Sequence, residues 1–204
     1  MDEPVTLPAD RYIYRELSLL AFNERVLAQS ADEAVPLLER LRFLCISCTN
    51  LDEFFEVRVA GLKQRVEIGA SSGGPDLLTP QELLAEIRQR AVELVKQQYD
   101  MLNKVLLPEL AAENIHFLPR KEWTIEQREW LTAFYRDEIV PVLTPLTLDP
   151  SRPFPRTLNK SLNFIVRLNG RDAFGRKRLR AVVEAPRSLP RSIRLPELLV
   201  EPGC

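Results

Sequence analysis

The chain has one histidine, three cysteines and seven glycines in 204 residues, and each scarcity closes off a class of chemistry. No glycine falls in the G-x-x-x-x-G-K or G-x-G-x-x-G spacing, so neither common phosphate-cradling loop is present. His116 stands between Ile115 and Phe117 with no acid or hydroxyl partner marked out for it, which favours a packing or surface role over catalysis. Ser18 has no nucleophile elbow around it. Cys45, Cys48 and Cys204 lack the second pair that would complete a zinc site. Cys45-x-x-Cys48 has redox spacing, but it sits in the apolar run Phe43-Leu44-Cys45-Ile46, so both are expected to be buried structural thiols in a reducing cytoplasm. No apolar run approaches the roughly 20 residues that cross a bilayer. The acidic start Met1-Asp2-Glu3-Pro4 leads into no hydrophobic stretch of the secretory kind.

What is present is ordinary globular material, 45% apolar and 28% charged, enough for one medium domain or a small domain plus a piece of another. The net charge of −1 conceals an imbalance: residues 1–150 sum to −9 and residues 151–204 to +8, with ten arginines in the second stretch. Such a run is either a solvated or interdomain face, or a site where guanidinium groups grip a polyanion.

The first stretch reads as helices. Leu17, Leu20, Ala21, Glu24, Leu27 and Ala28 recur at three- and four-residue steps within 11–31. A second helix is predicted from Val35-Pro36, with Leu37, Leu38, Leu41, Leu44 and Cys45 as its apolar stripe. Asn50-Leu51-Asp52-Glu53 has the form of a capping box, so a third helix is expected to start at Leu51 and end near Gly69. In that frame Asp52, Glu53 and Glu56 complement the helix dipole rather than bind metal. Ala70–Asp76 reads as a flexible loop. Thr79-Pro80-Gln81-Glu82 repeats the start signal and opens a long helix to about Glu113, with the polar Gln98 marking a slip in its stripe. It is expected to pack antiparallel to its predecessor.

Beyond Ile115 the character changes. Trp123-Thr124-Ile125-Glu126-Gln127 can cap a helix expected to turn Trp130, Leu131, Phe134 and Ile139 inward, and the prolines from Pro141 to Pro155 then exclude helix. Leu162–Leu168 and Arg178–Glu184 read as paired strands, marginal as an isolated ribbon. The predicted fold class is therefore a mainly α N-terminal helical bundle (residues 1–116) followed by a partial α+β domain (117–204).

Several ordered blocks carry a resemblance. Arg42-Phe43-Leu44-Cys45-Ile46-Ser47-Cys48-Thr49-Asn50-Leu51-Asp52-Glu53-Phe54-Phe55-Glu56-Val57-Arg58 resembles the N-terminal domain of the polyphosphate kinases that work through a phosphohistidine. Arg11-Tyr12-Ile13-Tyr14-Arg15-Glu16-Leu17-Ser18 and Ala21-Phe22-Asn23-Glu24-Arg25-Val26-Leu27 resemble the opening of the same family. Pro141-Val142-Leu143-Thr144-Pro145-Leu146 and Pro153-Phe154-Pro155 are similar to the start of its middle, or head, domain. The chain departs at Leu19, where the family commonly has Trp, and at Thr49, where it has Ser or Asn; the first is expected to touch helix packing.

The resemblance implies reversible transfer of the ATP terminal phosphate to polyphosphate, with ATP and ADP as substrates and Mg2+ bound by other parts of the complete enzyme. It implies that the helical domain caps the nucleotide pocket, with Asn50 contacting the nucleotide and Phe43 packing on adenine. A cap role for Asn50 and a core role for Phe43 are the plain alternatives. The two catalytic domains lie beyond the family segments matched here, so the chain alone is expected to be inactive. Homo-oligomerisation and peripheral attachment at the inner membrane surface are further implications; nucleic acid is not expected. Two other readings stand beside this one. One is a polyanion-binding module using Arg176, Arg178 and Arg180; the other is a helical interaction module that dimerises through residues 79–113.

Overall fold

The computed structural model describes residues 14–69, 78–149, 153–170 and 180–200. They divide into two compact units, Met1–Phe117 and Leu118–Cys204. Helix α1 spans Arg15–Ala31 and α2 spans Leu37–Glu53. No cap interrupts the second helix. It passes through Asn50, widens into a π-helical turn at Phe54–Val59, and continues as α3, Ala60–Glu67. The expected helix start at Leu51 is thus corrected. Leu44, Ser47, Leu51 and Phe54 keep three- and four-residue steps on one buried face, and the phase break comes later, between Phe54 and Val59. A five-residue step fits one turn of π-helix, which absorbs the slip without ending the rod. Asp52, Glu53 and Glu56 therefore lie along a continuing helix and not in a first turn. Gly69, at φ +64°, ends α3 in the left-handed conformation that glycine adopts without strain.

Helix α4, Pro80–Met101, starts as its sequence predicts: the Thr79 hydroxyl accepts from the Glu82 N–H, and the Glu82 carboxylate accepts from the Thr79 N–H at 2.7 Å. Donation from the Thr79 N–H, and then from its hydroxyl, holds the Glu82 carboxyl below its ordinary pKa, so the cap is complete above that range and weakens as the pH falls through it. The rod runs on through a π-helical turn, Leu102–Leu106, into α5, Leu107–Ala112. The reason is visible in the stripe. Leu94, Gln98, Leu102, Leu106 and Leu110 recur every four residues, which on an α-helix drifts ~40° per step. A wider turn brings Leu106 and Leu110 back to the core, both at most 1% exposed. Asn114, at φ +61°, closes the rod: the N–H of Ile115 donates to the Leu110 carbonyl at 2.8 Å and that of Asn114 to the Ala111 carbonyl.

Three rods, 15–31, 37–67 and 80–112, thus share one core centred on Leu20, Leu44, Ile87, Leu94 and Leu106. The second and third run antiparallel, since Arg40 meets Glu109 while Ser47 meets Gln98. Two polar layers cross this core, each taking one residue from every rod. In the first, Asn23 donates to the Ser47 carbonyl and Gln98 donates to the Ser47 hydroxyl, both at 2.9 Å. In the second, Arg40 donates from Nε to the Ser30 carbonyl at 2.9 Å and pairs with Glu109. The sequence stripes held Gln98 but missed the other buried members of these layers. Glu24, Ala28, Leu38 and Cys45, assigned to apolar stripes, are exposed, whereas Asn23, Ser30, Arg40 and Ser47 are buried. Leu19 is likewise at the surface rather than in the helix packing.

The second unit opens with a short 3-10 turn, Arg120–Glu122, and α6, Ile125–Phe134, capped by Thr124 and Gln127. Trp130 stacks on Phe134 within α6. A π-helical turn, Tyr135–Ile139, and a 3-10 turn, Val140–Val142, lead into strand β1, Pro145–Thr147, which the proline-rich sequence did not announce. It joins β2, Leu162–Arg167, and β3, Arg180–Ala185, in an antiparallel sheet of order β1-β3-β2. Ala181 and Val182 at the centre of β3 are buried, but Phe164 and Ile165 on β2 are more than half exposed.

Candidate functional site

Asn50 lies on the last turns of α2, half-buried, with its amide free of any capping duty. Its Nδ2 donates to Asn23 Oδ1 of α1 at 3.4 Å. Phe43, also half-buried, precedes it by seven residues, which places the two on the same flank of the helix about 10 Å apart along its axis. Ile46, one turn from each, is exposed, as are Leu19 and Phe22 near Asn23 on α1. The Arg25 guanidinium sits 5.8 Å above the Phe22 ring, a cation–π distance. On α2 the flank thus combines an amide, an aromatic ring and an aliphatic side chain, suited to a flat heteroaromatic ligand with polar edges.

The thiols are corrected. Cys45 and Cys48 are exposed on α2 and not buried in the core. Partial burial, then the nearby Cys45 and Asp52, push the Cys48 thiol above its ordinary pKa, so it is a poor nucleophile at neutral pH. His116 is exposed in the segment after α5. Among the described residues no three His, Cys, Asp or Glu side chains come together as a metal site. No described helix is long and apolar enough to cross a membrane.

Of the arginine group, Arg176 and Arg178 lie outside the described residues. Arg180 is exposed at the start of β3, directly opposite Arg167 of β2. Like charges in register oppose pairing unless an anion lies between or beside them. A shallow open depression on the second unit, lined by Arg128, Glu129, Thr132, Ala133 and Arg136, shares no residue with the Asn50 flank.

Sequence reasoning passed over Asn23, which bonds Asn50, and Ser47, which holds Asn23, and it took Gln98 only as a slip in its stripe. The signal was there for two of them: Asn23 and Gln98 are polar residues at core positions of otherwise apolar stripes.

Comparison with known proteins gives a consistent answer. The polyphosphate kinase N-terminal domain matches residues 12–118 and the polyphosphate kinase middle domain matches 126–203. A polyphosphate kinase of Pseudomonas aeruginosa is 55% identical over 186 residues, covering 91% of this chain and 27% of that protein. One from Neisseria gonorrhoeae is 54% identical over 194 residues, 95% of this chain and 28% of that protein. The crystal structure of polyphosphate kinase from Porphyromonas gingivalis superposes with a TM-score of 0.66 at 26% identity, over 87% of this chain and 25% of that one. The chain therefore spans little more than a quarter of the length of these curated relatives. It belongs to the polyphosphate kinase family, matching the N-terminal domain and most of the remaining residues to the middle domain.

Proposed function

We propose that this chain forms the N-terminal region of an enzyme that transfers the terminal phosphate of ATP reversibly to polyphosphate, and that its first unit supplies the adenine side of the nucleotide pocket. Residues 1–116 form the helical domain and 117–204 an incomplete middle domain, inactive without the catalytic parts of the enzyme. Asn50 hydrogen-bonds the base and Phe43 packs on its face. The observation that carries this is the place of Asn50: inside a continuous helix, half-buried, with an amide that no cap consumes. Mg2+ is held by other parts of the complete enzyme. The complete enzyme is a cytoplasmic homo-oligomer that can sit at the inner membrane surface.

In a full-length kinase carrying this segment, Asn50→Ala is expected to raise the KM for ATP roughly 2- to 10-fold, the worth of one hydrogen bond, with little change in thermal stability. Steady-state kinetics checks this. An unchanged KM removes Asn50 from the pocket.

The register pair Arg167 and Arg180 favours a second role, contact between the basic end of the chain and polyphosphate. Reversing Arg176, Arg178 and Arg180 to Glu is expected to abolish polyphosphate binding by this chain, measured by filter retention across a salt series. Binding that survives the reversal rules the role out.

A further inference from the structure

We propose that Asn23 is a positioning residue: it fixes the Asn50 amide with its NH2 inward and its oxygen outward, so that the site selects a purine bearing an amine, and not a carbonyl, at position 6. This rests on the nucleotide role of Asn50 proposed above. One group in the network has a fixed polarity. The Ser47 main-chain carbonyl can only accept, so the Asn23 atom 2.9 Å from it must be Nδ2. The other end of the same amide, facing Asn50, is then Oδ1, which can only accept. Asn50 must meet it with Nδ2, as it does at 3.4 Å. That leaves the Asn50 oxygen and one remaining N–H for a ligand.

Asn23 is well placed to impose this choice. It is 3% exposed on α1, and Ser47 on α2 is itself held by Gln98 of α4 through its hydroxyl. A buried amide with a committed donor has no solvent to exchange with, so it resists rotation. Asn50 is only half-buried, and its bond to Asn23 is long. Without Asn23 its amide is free to turn over. Adenine offers an amine donor at position 6 and a ring nitrogen acceptor beside it, the complement of the fixed Asn50 edge. Hypoxanthine offers a carbonyl there and a ring N–H, the complement of the flipped edge.

The test uses a full-length kinase carrying this segment, with ATP and ITP as alternative donors. Asn23→Ala is expected to raise the KM for ATP about 2- to 10-fold, to leave kcat at saturation unchanged, and to erode the preference for ATP over ITP. Asn23→Asp, which keeps an acceptor facing Asn50 but alters the donor to Ser47, is expected to retain the preference even if it lowers the melting temperature. The Asn23→Ala/Asn50→Ala double variant is expected to match Asn50→Ala alone. The preference is a ratio and does not depend on the folded fraction. Should the alanine variant yield no folded enzyme, Asn23→Ser, too short to reach Asn50, takes its place. If Asn50→Ala shifts the preference and Asn23→Ala does not, Asn50 recognises the base and Asn23 has no positioning role. If Asn50→Ala changes neither KM nor preference, the nucleotide role of Asn50 fails, and this inference with it.

Discussion

Glu109→Ala is expected to cost about 3 kcal/mol of stability, more than replacing its partner, Arg40, with methionine. The asymmetry follows from where water reaches. The Arg40 side chain is 6% exposed and that of Glu109 39%. Arg40 donates from Nη1 to Glu109 Oε2 at 2.5 Å, from Nη2 to Oε1 at 3.3 Å, and from Nε to the Ser30 carbonyl at 2.9 Å. Removing Glu109 strands a buried guanidinium, which is the costly half of breaking an ion pair. The figure sits at the low end for such pairs because water already wets the carboxylate. Arg40→Met instead leaves a carboxylate that solvent can cover and takes one donor from the Ser30 carbonyl, while the thioether fills much of the vacated volume, for about 1–2 kcal/mol. Denaturant unfolding of the two variants, followed by far-UV circular dichroism, measures both. Equal losses, or a larger loss for Arg40→Met, would show that the pair is not what ties the second rod to the third.

Two single-residue deletions are expected to differ more sharply. Removing Val57 from the π-helical turn shortens the step from Phe54 to Val59 to four residues and that from Phe54 to Leu62 to seven. Both are α-helical spacings, so all three buried side chains keep their face, and the expected change is within about 1 kcal/mol. The wide turn at Leu102–Leu106 lies beyond all of α4's buried residues, so removing Gln89 leaves none between them to absorb it. Either Leu83 and Ile87 on one side, or Ala91 and Leu94 on the other, must rotate about 100° away from the core. If the downstream part turns, Val92, Val95, Tyr99 and Asn103 face inward instead. Losing two well-packed aliphatic positions costs roughly 4 kcal/mol or more, enough to unfold many domains of this size. The midpoints of thermal or denaturant unfolding separate the outcomes. A Val57 deletion as damaging as that of Gln89 would mean that the wide turn has a packing role of its own.

Much of the architecture was legible locally. Thr79, Pro80 and Glu82, and again Thr124 and Gln127, supply donors and acceptors to each other within a single turn, so the residues themselves are enough to announce the helix start. Gly69 ends a helix for an equally local reason. Asn50 was misread as a cap because the N-x-x-E pattern is local while the competing helix is not. The hydrophobic face through Leu44, Leu51 and Phe54 packs against α1 and the third rod, and that burial outweighs a capping bond worth about 1 kcal/mol. Cys45 and Cys48 were expected inside because their neighbours are apolar, yet a helix sends adjacent residues to different faces.

Residue type and near-neighbour spacing were enough for the family, the helical character of residues 15–31, 37–67 and 80–112, the capping boxes at Thr79 and Thr124, and the crowding of arginines toward the C-terminal end. A linear chain displays both in full. Which polar residues go inside, and which atoms face one another, follows only from the packing of the rods. Asn23, Ser47, Asn50 and Gln98 bond to one another across 24, 27 and 51 positions of chain, and these hydrogen bonds exist only once three rods are laid in register. The same holds for β1, whose three residues pair with β3 more than 30 positions away. Long-range partners are chosen by burial and by the need to satisfy every buried donor and acceptor, and neither is written at any single position.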